Sequence, residues 1–126
     1  MDVNKARIAF KWLALIFAAL ILLQVFLAGL ALFWDADQWA SHRGLSRFLL
    51  LPPILMLVSS FIARMPVSFR LSTVALIVLL ILMGVSANLP SGVGYLSALH
   101  PVLALMMFFG AVSLARRTDA VGEKGV

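Results

Sequence analysis

The chain has 126 residues, 63% of them hydrophobic and only 12% charged, with a mean hydropathy of +1.10; a water-soluble domain of this size cannot bury so much apolar surface, so its solvent is a lipid bilayer. The absence of cysteine excludes disulfides, thiolate metal sites and thiol catalysis. The net charge of +5 does not point to nucleic acid, because the basic residues sit at the ends of apolar segments, where they orient helices and meet anionic headgroups.

Four apolar segments predict an all-α fold, an integral membrane up-down four-helix bundle occupying residues 1–117. The first runs from about residue 12 to 33 and is interrupted only by Gln24 and Gly29. At 1.5 Å per residue it reaches roughly 33 Å, enough to cross a hydrocarbon core of about 30 Å. Its apolar run is too long for a cleaved signal peptide and no small-x-small site follows it, so a retained span is expected. Gln24 is the one strongly polar side chain deep in this segment. Two roles are open to it: contact with a buried ligand, or an interhelical hydrogen bond worth about 1 kcal/mol.

A polar stretch over 34–43, containing Asp35 and Asp37, leads to the second segment at about 44–63, which includes Pro52-Pro53. A tight link from Arg64 to Arg70 precedes the third segment at 71–89, and Pro90 to Tyr95 connects to the fourth at about 96–115. Residues 118–126 are polar and are expected to form a disordered cytoplasmic tail. Pro101 in the fourth segment admits two readings. Either His100 lies near the start of the helix, or the helix starts at Val93 and Pro101 kinks it.

Counting Lys and Arg by side sets the orientation. Lys5, Arg7, Lys11, Arg64, Arg70, Arg116, Arg117 and Lys124 fall on one side, against Arg43 and Arg47 on the other. Eight against two predicts both termini in the cytoplasm of a multi-pass protein of the bacterial inner membrane. Trp34, Trp39 and Tyr95 would form the outer aromatic belt, with Trp12 near the inner one.

His42 and His100 are the only histidines, and each opens an even-numbered segment, so both lie at the same membrane face. In an up-down bundle these helices are diagonal, a separation of roughly 12 to 14 Å that suits two imidazoles with a metal between them. The first and third helices then have to make room for the edges of a flat ligand, and they offer Ala28 and Gly29, and Gly84, Ser86 and Ala87, in their outer thirds. Arg43 and Arg47 are placed to meet carboxylates such as haem propionates. The plainer alternatives are capping or headgroup contact for the histidines, close helix packing for the small residues and snorkelling for the arginines. Counted from Arg64 and Arg116, His100 lies about 9 Å deeper than His42, unless tilt or a bend at Pro52-Pro53 levels them. A faint internal repeat lays Leu23–Gly29 on Leu82–Asn88 at nearly the spacing of the two histidines, which implies two hairpins in pseudo-twofold arrangement.

The order Gln24-Val-Phe-Leu-Ala-Gly29, then Ser41-His42-Arg43, then Leu99-His100-Pro101-Val102 resembles an uncharacterised family of small bacterial four-helix membrane proteins, over roughly residues 8 to 117. More remotely it is similar to one four-helix half of haem A synthase, which has histidines at the outer ends of its second and fourth helices. That resemblance implies axial ligation of haem b by His42 and His100, with Gln24, Gly29, Arg43, Arg47 and Gly84 around the macrocycle. Ala40-Ser41 stands where the enzyme has an acidic residue before its His-Arg pair, and there is one bundle only. The resemblance therefore implies haem binding, electron transfer or haem handling rather than haem A synthesis. The expected partners are the bilayer and a redox partner or larger membrane complex. The alternative is a cofactor-free structural or accessory subunit of such a complex.

Overall fold

The computed structural model describes residues 2–123, with side chains to Val121. Helix α1 spans Val3–Phe33, α2 Gln38–Ser46, α3 Leu51–Ile62 and α4 Val67–Ser86; a 3₁₀ segment over Ser91–Ala98 leads into α5, Leu99–Glu123. Together they make four stretches long and apolar enough to cross a membrane: Val3–Phe33, Gln38–Ile62, Val67–Ser86 and Ser91–Val121. Helix α1 lies beside α2, α3 and α5, and α4 beside α3 and α5, while among the described residues the backbones do not approach closely across either diagonal. This is the predicted up-down square, with the chain ends at one end of it.

Because α1 is apolar around most of its circumference, polarity does not mark its inward face. Size does. The buried stripe Ala6, Phe10, Ala14, Phe17, Ala18, Ile21 follows the helical period and alternates small with large. Phe10 meets Phe69 of α4 edge to face at 5.8 Å, and the core continues through Met56, Leu76, Met107 and Leu114.

Helices run past the hydrocarbon limits expected from the sequence. α1 starts at Val3 and α5 continues to Glu123, so 118–123 is helical where a disordered tail is expected; 124–126 lie outside the described residues. The two overhangs support each other: Ala6 is buried on one, Thr118 on the other, and Lys11 Nζ pairs with the Asp119 carboxylate at 2.7 Å. At this same end Arg117 donates to Ser68 Oγ and stacks over Phe69, while Arg70 stacks over Phe61.

The second span is not one straight helix. Pro52 and Pro53 lack amide hydrogens, and their rings conflict with the carbonyls four residues back. Residues 47–50 therefore form a tightened turn held by i to i+3 bonds, Phe48 to Leu45 and Leu49 to Ser46, before α3 begins. Helix α3 ends in a Schellman turn. Arg64 N donates to Phe61 O, Met65 N donates to Ser60 O, and Arg64 takes the left-handed conformation at φ 50°. Pro66 follows and α4 starts at once.

Candidate functional site

His42 lies in the second turn of α2, and its Nδ1 is 3.0 Å from the backbone carbonyl of Gln24 on α1. His100 lies in the first turn of α5, and its Nδ1 is 3.2 Å from the backbone carbonyl of Met83 on α4. A carbonyl only accepts, so Nδ1 carries a proton in both rings, and in a neutral ring Nε2 is then the nitrogen with the lone pair. No hydrogen bond involves either Nε2 among the described residues. Fixing one ring nitrogen by a backbone carbonyl is the outer-shell arrangement that orients a metal-binding imidazole.

The ring centres are 6.3 Å apart, with the planes tilted by 49°. The two rings meet although the count along the sequence sets them about 9 Å apart in depth; that count presumes a straight second span, and the turn over 47–50 interrupts it. With metal–imidazole bonds of about 2.0–2.1 Å, His42 and His100 are the residues that would hold a metal-bearing group placed between the rings.

Both rings line a cavity of about 970 Å³, at the upper end of the roughly 300–1,000 Å³ usual for small-molecule and cofactor sites. Gln24, Gly29, Arg43, Arg47 and Gly84 line it too, as do Ala28 and Ala87. These residues therefore border one space, whereas Ser86, also offered for it by the sequence, does not line the cavity. The histidines come from one diagonal of the square, α2 and α5, and the glycines from the other, α1 and α4. A side-chain carbon built at Gly29 or Gly84 meets nothing within 4 Å, whereas one at Gly110 comes within 3.0 Å of Leu76. The first two glycines thus leave room in the cavity, and Gly110 is the one that serves close helix packing.

Four of the buried polar residues, Ser60, Thr73, Ser86 and Thr118, each donate to a carbonyl of their own helix. The Gln24 side chain is 5% exposed and neither amide atom has a partner, so the interhelical hydrogen bond open to it in the sequence is not made. An unpaired buried amide costs about 1–3 kcal/mol. Arg43 and Arg47 are exposed, and neither guanidinium makes an ion pair among the described residues.

Pro101 falls in the first turn of α5, where no intrahelical donor is needed, so His100 starts the helix rather than preceding a kink. Ser97 Oγ donates to Ser86 O at 2.8 Å and ties the incoming 3₁₀ segment to the end of α4. The histidines also have neighbours that the sequence did not assign to them. Met83 supplies the carbonyl for His100; Ser86, expected only to make room for a ligand, has its Oγ 3.4 Å from the same Nδ1; and Trp39, expected in the outer aromatic belt, packs edge to face on His42 at 5.5 Å. The faint repeat held the signal for the first of these. It pairs Gln24 with Met83, the two residues whose carbonyls hold the two histidines.

Among the described residues no three His, Asp or Glu side chains converge as a metal-binding group. The profile of a family of unknown function (DUF6220) matches residues 24–89, which takes in Gln24, His42 and Gly84 and stops short of His100. No curated protein and no solved structure matches the chain.

Proposed function

Since the chain belongs to the family of unknown function DUF6220, which offers no activity to transfer, we propose a function from its own residues: it binds haem b between His42 and His100. The observation that carries this reading is the pair of imidazoles 6.3 Å apart, each with Nδ1 held by a backbone carbonyl and Nε2 free. Gly29 and Gly84 supply the space for the macrocycle edges, and Arg43 and Arg47 the countercharge for its carboxylates. A haem ligated on both faces exchanges single electrons and has no open position for oxygen or substrate. The chain's own part is to fix two rings, exclude water with apolar walls and present positive charge. The protein then works as a small cytochrome of the bacterial inner membrane, with both termini cytoplasmic, passing electrons to or from a redox partner or within a larger membrane complex.

The test is a dithionite-reduced minus oxidised spectrum of the detergent-purified protein, expressed with ample haem. Sharp α and Soret bands, lost in His42→Ala and in His100→Ala, are expected. A flat spectrum from well-folded wild-type protein overturns the reading and leaves a cofactor-free accessory subunit, to be identified by what co-purifies with it.

A further inference from the structure

We propose that the Gln24 carboxamide reads a free carboxyl group on the bound ligand, so that the cavity selects an acid-bearing tetrapyrrole and seats it in one orientation. This rests on the haem reading above and adds to it a specificity-determining residue.

The two hairpins hold their histidines alike but line the cavity differently. Gln24 corresponds to Met83, since each offers the carbonyl that anchors a histidine. One and five residues beyond His42 stand Arg43 and Arg47; one and five beyond His100 stand Pro101 and Leu105. The histidine anchors are therefore nearly alike while the charge is one-sided. The amide and both guanidinium groups belong to the first hairpin, where α1 and α2 pack together. Gln24 is 5% exposed, lines the cavity and leaves both its amide atoms unpaired. Its N–H₂ donates to a carboxylate, and its carbonyl accepts from a protonated carboxyl. A carboxyl facing the second hairpin meets Met83 and Pro101, and the polar side chains lining that side, Asn88 and Ser97, are neutral and already donate to the Gly84 and Ser86 carbonyls.

The experiment titrates the full-length chain in detergent with iron protoporphyrin IX and, separately, with its dimethyl ester, following the Soret band. Wild type is compared with Gln24→Met, which installs the residue found at the equivalent place in the other hairpin. The free acid is expected to bind wild type on the order of tenfold more tightly than the ester, and Gln24→Met to lower the affinity for the acid more than that for the ester, leaving the part of the preference that Arg43 and Arg47 supply. Ligand-free Gln24→Met is expected to melt no lower than wild type, because no hydrogen bond is lost. If the variant weakens both forms equally, or neither, the Gln24 inference falls while the haem site stands. Failure of wild type to bind either form overturns the haem reading itself.

Discussion

Two glycines at cavity-lining positions separate room for a ligand from room for packing. Gly29 and Gly84 sit in helices, where glycine costs up to about 1 kcal/mol relative to alanine, and a Cβ at either meets nothing within 4 Å. Gly84→Ala is therefore expected to raise the stability of the ligand-free protein by about 0.5–1 kcal/mol, read from its unfolding midpoint in mixed micelles. Gly84→Phe is expected to leave the fold intact and abolish haem uptake, since the ring occupies the cavity. Loss of stability in the alanine variant would show that Gly84 packs against a neighbour after all. The residue types at this site were legible in the sequence, because histidine, glutamine and arginine are conspicuous against an apolar background. Their partners were not. Both histidines are held by backbone carbonyls, and every residue carries one, so no side-chain pattern announces them.

Helix boundaries follow local chemistry that hydropathy averages away. The second span breaks over 47–50 because two prolines remove donors, and α3 ends where Arg64 adopts a conformation that glycine occupies without cost. Arg64→Gly is expected to stabilise the bundle by about 1 kcal/mol through relief of that left-handed strain. Arg64→Ala, which removes the same charge and keeps the strain, is expected to give no gain. The pair, compared by unfolding midpoint, separates conformation from electrostatics. The overhanging ends of α1 and α5 were missed for a related reason. Lys11 and Asp119 look like the solvated ends of separate segments until the fold brings them to 2.7 Å. With the two side chains 34% and 54% exposed, that pair is worth well under 1 kcal/mol, and the packing of Ala6 and Thr118 holds the overhangs.

At the scale of the molecule, the square of four spans was readable from segment number and link length alone, since short links force neighbours to run antiparallel. The bundle brings the start of α1, the α3–α4 link and the end of α5 to one end, through the Lys11–Asp119 and Arg117–Ser68 contacts. The basic residues gather there, and that end is expected to face the cytoplasm. Reporter fusions check this. A fluorescent protein is expected to mature on either terminus, and alkaline phosphatase to be active only when inserted in the 34–37 turn or after Asn88. Phosphatase activity at either terminus overturns the orientation.

The paired histidine anchors bear on how such a chain is put together. In each hairpin the imidazole is latched to its own preceding helix, His42 on Gln24 and His100 on Met83. Neither ring depends on the other hairpin for its orientation, so the two jaws are set before they close. What joins them is the face-to-face packing of α1 on α5 and α3 on α4, and a group clasped by both imidazoles acts as a rivet through that seam. Two separately expressed halves, cut in the α3–α4 link, are then each born with half a socket, and loading the socket becomes the same event as mating the halves.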